Sequence, residues 1–196
     1  QKSPLFTRDF TLVVIGQIIS LFGSAILRFA LPLYLLRQTG SPALFGAVGA
    51  AAFVPAVLCA PIGGVVADRV NKRNIMVILD FSTAGLVLVF ALLLDRVPLA
   101  PLMAACLMLL YGIAGAYQPA VQASIPLLAA AEQLTSANAV INMVNTLSAL
   151  LGPVIGGVLF GAFGIRPILW VGIFCFFLSA VMELFIRIPH SPRAAA

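Results

Sequence analysis

The chain has 196 residues, of which 62% are hydrophobic and 9% charged, against about 45–50% apolar and ~25% charged in an ordinary soluble domain. That excess rules out a soluble globular domain and a disordered chain, and three cysteines are too few for a disulfide-stapled one. The net charge of +5 comes from Lys and Arg lying between apolar runs with no interleaved aromatics, so no nucleic-acid partner is expected; with a mean hydropathy of +1.15, the expected solvent is a lipid bilayer.

About 20 apolar residues cross the ~30 Å hydrocarbon core as a helix. The charge-free runs predict six spans, over about 10–36, 42–67, 74–94, 99–128, 136–163 and 167–187. Residues 1–9 are then an N-terminal segment and 188–196 a polar tail or linker. Span 1 includes Arg28 and span 3 includes Asp80. The run 97–131 is too short for two spans and a turn, so it is read as one long helix. Gly40, Pro42, Pro98 and Gly164 mark turns, and Thr135 or Ser136 is the expected N-cap of span 5. Residue 1 is Gln, so the start is read as processed, engineered or cut.

An even number of spans puts both termini on one side. Lys2, Arg8, Arg69, Lys72, Arg73, Arg187 and Arg193 collect there, against Arg37, Arg96 and Arg166 opposite. The positive-inside rule makes the terminal side cytoplasmic, in the inner (plasma) membrane. Cys59, Cys106 and Cys175 lie inside apolar runs and read as packing residues. No metal ligand set and no cofactor is expected.

Pro61-Ile62-Gly63-Gly64-Val65-Val66 in span 2 is echoed by Pro153-Val154-Ile155-Gly156-Gly157-Val158 in span 5, 93 residues on from Gly64 to Gly157. Spans 2 and 5 run in opposite directions. The fold expected is therefore all-α and polytopic, two inverted three-helix repeats, although small residues in apolar helices also serve close packing alone.

Polar side chains inside spans fall on single helical faces. Span 1 carries Gln17, Ser20, Ser24 and Arg28; span 4 carries Tyr111, Gln118 and Gln122; span 5 carries Asn138, Asn142 and Asn145. Lipid offers these groups no partners, so each stripe is expected to face protein or an aqueous pathway. Interhelical hydrogen bonding explains the amides equally well. A mid-span guanidinium favours function, since a charge there is costly. Arg28, ~27 Å along its helix, is not expected to meet Asp80. Asp80 is expected to pair with Arg73 or Arg69 and is otherwise a coupling carboxylate. Glu183 and Arg187, at i and i+4, read as a snorkelling structural pair, and His190 as an inert tail residue.

The most specific string is Gly64-Val65-Val66-Ala67-Asp68-Arg69-Val70-Asn71-Lys72-Arg73, a short hairpin. Gly64 is read as permitting close packing of span 2. Asp68 sits at a helix C-terminus, where Arg69, Lys72 and Arg73 are expected to neutralise it. Asn71 is read as a left-handed turn residue.

This string resembles the loop signature of the major facilitator superfamily, with Asn71 where that family usually has Gly. Gly152, Pro153, Gly156 and Gly157 resemble the span 5 signature of its drug:proton antiporter branch. Gly23–Ile26, Phe29–Tyr34 and Gln118–Pro126 are similar to macrolide-efflux and siderophore-export relatives. The resemblance implies the N-terminal six-helix half of a transporter, with spans 1 and 4 lining a substrate cavity. It further implies that Asp68 and Arg73 belong to a cytoplasmic gate whose partners lie in a second six-helix half. The Arg that the family often has in span 4 is missing here, and the resemblance locates no coupling residue.

The function expected is secondary active efflux of amphipathic, drug-like small molecules by alternating access, coupled to protons. A non-transporting membrane scaffold derived from a half-transporter is the alternative. An intramembrane enzyme is not expected: the single His lies in the tail, no span carries two acidic residues, and no His-Glu-x-x-His motif is present.

Overall fold

The computed structural model describes residues 4–188. Lys2, His190, Arg193 and all but the first residue of the expected tail lie outside that range. Six helices follow one another: α1 (Arg8–Thr39), α2 (Pro42–Arg69), α3 (Lys72–Leu93), α4 (Leu99–Leu128), α5 (Leu134–Phe163) and α6 (Ile165–Leu184). All six are long and apolar enough to cross a membrane, and the protein is a multi-pass, all-helical membrane protein.

Local chemistry sets the ends. Thr7 and Ser41 accept hydrogen bonds from the Phe10 and Leu44 amides and cap α1 and α2. Gly40 (φ 64°) and Gly164 (φ 79°) take the backbone into a region that side chains disfavour and so end α1 and α5. Three expectations at helix ends are corrected. Asn71 is not left-handed (φ −59°, ψ 122°); its side chain accepts from the Arg73 amide and caps α3. Thr135 and Ser136 lie inside α5, which a 3-10 turn (Ala131–Gln133) leads into without a side-chain cap. The last helix stops at Leu184, short of Arg187.

At one end of the bundle the Arg187 amide donates to Asp9 (3.1 Å) and Arg73 donates to the Leu184 carbonyl (3.2 Å). These bonds gather the start of α1, the α2–α3 loop and the end of α6. At the other end Arg166 pairs with Asp95, joining the α5–α6 and α3–α4 connections.

The packing has internal symmetry. Helix α2 lies along α4 and α1 along α5; α3 packs on α4 and α6 on α1; α3 meets α6 and α1 meets α4. Exchanging α1 with α4, α2 with α5 and α3 with α6 turns each of these pairs into another of them or back into itself. Successive helices reverse direction, so the two three-helix units are inverted repeats.

Small residues close the two long seams. A side chain on Gly63 would lie 2.8 Å from the Ala116 backbone, and one on Gly115 would lie 2.7 Å from the Ala56 carbonyl oxygen. Across the other seam Gly152 abuts Ala25, and a Cβ on Gly156 would come within 3.2 Å of the Ile26 carbonyl oxygen. This corrects the reading of Gly64, whose missing side chain faces open space; its neighbour Gly63 makes the close approach. Gly63 and Gly156 occupy matching places in the two repeats. Gly63→Ala should therefore destabilise the bundle by about 1–3 kcal/mol, while Gly64→Ala should leave it intact. Thermal unfolding in detergent micelles checks both, with a lowered midpoint expected for the first variant only.

Candidate functional site

The bundle encloses a cavity of about 570 Å³ lined by residues from all six helices. On its wall, Arg28 lies with its guanidinium carbon 5.2 Å from the centre of the Tyr111 ring. That distance is a cation–π contact, and Tyr111 packs in turn on Phe53 (5.1 Å between ring centres). The Arg28 Nε also donates to the Ser24 carbonyl, one turn back (3.4 Å). The charge expected inside span 1 is thus held by a ring face and a carbonyl dipole, with no carboxylate.

The stripes separate in the structure. Ser20, Ser24, Arg28, Tyr111, Gln118, Gln122 and Asn145 reach the cavity. Gln118 donates to Asn145 (3.3 Å) and tethers α4 to α5, while its Oε1 is buried without a partner. Gln17 does not line the cavity; it is buried beneath it and donates to the Tyr117 hydroxyl (3.0 Å). Asn138 and Asn142 do not line this cavity either. Both are exposed on α5, and the Asn138 side chain bonds only its own helix, at the Leu134 carbonyl. Their face of α5 lies outside the contacts with α1, so the stripe splits at Asn145.

Beneath the cavity lies a polar cluster that the sequence reading missed. Asp80 accepts from Ser20 (3.0 Å to each carboxylate oxygen) and from Ser179 (2.9 Å). The Ser20 and Ser179 hydroxyls are themselves 2.9 Å apart. The Tyr117 hydroxyl makes a short hydrogen bond to Glu183 and lies 3.4 Å from Asp80. Ser179 also contacts the Gly16 carbonyl (3.2 Å), and the bare face of Gly16 admits the Glu183 side chain.

Two expectations fall here. Asp80 pairs with neither Arg73 nor Arg69, because it points into the bundle among hydroxyls from α1, α4 and α6. Glu183 does not snorkel beside Arg187. Its exposure is 0%, since the helix ends at Leu184 and the following Ile186 folds into the core. Tyr117, Ser179 and Glu183 are the residues missed. Ser179 and Glu183, four apart on one face of α6, were the available signal. Arg28 and Asp80 both line the cavity without forming an ion pair, as the depth estimate anticipated.

In the α2–α3 hairpin, Asp68 and Arg69 are exposed and Lys72 is buried at the start of α3. Asp68 is not neutralised by its neighbours. Among the described residues the only ion pair is Arg166–Asp95, and Arg73 is turned towards Leu184 and Asn74. In α5, Gly152 and Gly156 form the seam on α1. Pro153 is internal to the helix, and a Cβ on Gly157 would come within 3.3 Å of the Phe29 ring.

Comparison with known proteins agrees with this architecture. The chain is 28% identical over 176 residues to macrolide efflux protein A of Streptococcus pyogenes, a match covering 89% of this chain and 43% of that protein. It is 26% identical over 135 residues to the MFS-type transporter YfiS of Bacillus subtilis (strain 168), covering 68% of this chain and 31% of that protein. A macrolide efflux protein A of Enterococcus faecalis is 26% identical over 139 residues, covering 70% and 43%. The chain thus spans less than half the length of these relatives. The family model described as Major Facilitator Superfamily matches residues 13–196, and the chain belongs to that superfamily of membrane transporters.

Proposed function

We propose that this chain forms the N-terminal six-helix half of a secondary transporter that exports amphipathic, drug-like compounds by alternating access, driven by protons. The observation that carries this reading is the cavity. Its size falls in the range of small-molecule sites, and its wall combines apolar surface with an Arg28–Tyr111 pair and a buried Gln118 oxygen that lacks a donor. An amphipathic solute suits such a wall: its apolar body covers the aliphatic lining and its polar groups meet the Arg28–Tyr111 pair. Relatives bearing the name macrolide efflux protein make macrolide antibiotics the first compounds to test.

A second six-helix half completes the pathway. Helices α2 and α5 carry exposed residues including Val57, Ile62, Asn142, Leu150 and Val154 on faces that no described helix covers, and these faces receive that half. Asp68, exposed and unpaired, is available to a cation on it and serves as the cytoplasmic gate with Arg69, Lys72 and Arg73. The chain sits in a bacterial inner membrane with both termini cytoplasmic, a reading that the Lys and Arg distribution supports.

The test is macrolide efflux by the full-length protein in a bacterium stripped of its own pumps. Wild-type protein should lower intracellular antibiotic, and Arg28→Gln should weaken efflux roughly tenfold, within the range of a lost cation–π contact. Efflux unchanged by Arg28→Gln would remove that residue from the pathway. No efflux of any amphipathic compound would favour the non-transporting scaffold. Asp68→Asn should insert and fold normally yet transport poorly. Fluorescence-detected size exclusion separates that outcome from misfolding, which would make Asp68 purely structural.

A further inference from the structure

We propose that Asp80 and Glu183 together form a single proton-binding centre on the seam between the two three-helix units. Its role in coupling rests on the transporter reading above; its chemistry rests on the geometry.

Asp80 comes from the first repeat and Glu183 from the second. Both are buried, at 3% and 0% exposure. One hydroxyl, that of Tyr117, touches both. The hydrogen-bond inventory is one proton short. Three hydroxyl protons, on Ser20, Ser179 and Tyr117, serve four carboxylate oxygens, and one of the hydroxyls also faces the Gly16 carbonyl. Gln17 donates to the Tyr117 oxygen and so commits the Tyr117 proton outward to a carboxylate. Glu183 Oε2 is left buried with no partner. A proton on the carboxyl pair supplies the missing donor and removes one of two like charges.

No cation does that work. Facing the pair are Gly16, Gln17 and Ser20 from α1, Tyr117 from α4 and Ser179 from α6; among the described residues Tyr117 is the only other titratable group in contact. Arg28 is stacked on Tyr111, Arg73 is bound to Leu184, and Lys72 is ~12 Å back along α3. Among the described residues, neither carboxylate has a Lys or Arg nitrogen within ion-pair distance. A sodium ion would need several oxygens spread around a void, whereas the hydroxyls here already touch Asp80 and one another.

The proton has one side to enter from. Asp80 lines the cavity while Glu183 does not, and Phe10, Met76, Ile186 and Ile188 are buried in the same apolar core cluster as Tyr117. Binding adds one proton from cavity water to the pair; release returns it there. With the proton lost, two negative charges oppose each other across the α3–α6 contact, which biases the repeats to move apart.

The test uses the full-length protein with Asp80→Asn and Glu183→Gln, substitutions that keep shape and hydrogen bonding. Infrared difference spectroscopy on a pH step should reveal a protonated-carboxyl stretch in the wild type that each variant abolishes or displaces. No such band, or one that both variants leave untouched, overturns the proposal. In proteoliposomes, accumulation of a macrolide driven by a pH gradient should fall about tenfold or more relative to macrolide counterflow exchange in Glu183→Gln, in the range of typical coupling energies. An unchanged ratio, or drive by a sodium gradient in place of the pH gradient, also overturns it. Wild-type protein that moves macrolide in neither mode refutes the export reading instead, while the infrared band still decides whether the pair holds a proton.

Discussion

Hydrocarbon provides no hydrogen-bond partner, and that constraint organises the bundle. Every polar side chain placed inside a span must find its partner in another helix, on its own backbone or at a water-filled surface. Gln17, Ser20, Asp80, Tyr117, Ser179 and Glu183 meet it collectively. Four helices, α1, α3, α4 and α6, each supply at least one of them. The cluster therefore specifies a relative rotation for all four, since turning any one helix would strand its polar group in lipid. The remaining contacts are of another kind. Helices α2 and α5 join through glycine and alanine, where close backbone approach gives dispersion energy without directional demands. The centre is thus held by specific bonds and the flanks by shape.

The cavity follows from this division. The polar cluster forms its floor through Asp80 and Ser20, and the Arg28–Tyr111 pair forms part of its wall. Arg28 carries a full charge with no carboxylate beside it, so its field is directed at whatever enters. Gln118 adds an acceptor that the protein does not satisfy. A purely structural bundle has no use for either, whereas a pathway that must bind and release solutes gains from groups left incompletely matched.

Much of the architecture was legible in the sequence because it depends on length and on charge placement. Charge-free runs gave the number of spans, and the paired Gly-Gly strings gave the inverted repeat. The register within those strings was not legible: Gly63 and Gly64 are both small, and only the position of Ala116 decides which one makes the close approach. The polar cluster was missed for a related reason. Partners for Asp80 and Glu183 were sought along the same helix or in the neighbouring loop, where Arg73 and Arg187 were near in sequence. The actual partners are separated from Asp80 by 37, 60 and 99 residues. The stripe on α5 was read as one face, yet only Asn145 turns inward, because the seam with α1 is set lower down by Gly152 and Gly156.

The central claim is that these polar groups face one another inside the membrane, and the Ser20–Ser179 contact measures it most directly. With Cys59, Cys106 and Cys175 replaced, a Ser20→Cys/Ser179→Cys protein in native membranes should form a disulfide on mild oxidation, linking α1 to α6, because the two hydroxyls are 2.9 Å apart. If the pair resists cross-linking and both cysteines instead react with a lipid-soluble maleimide, the helices are turned the other way and the account fails.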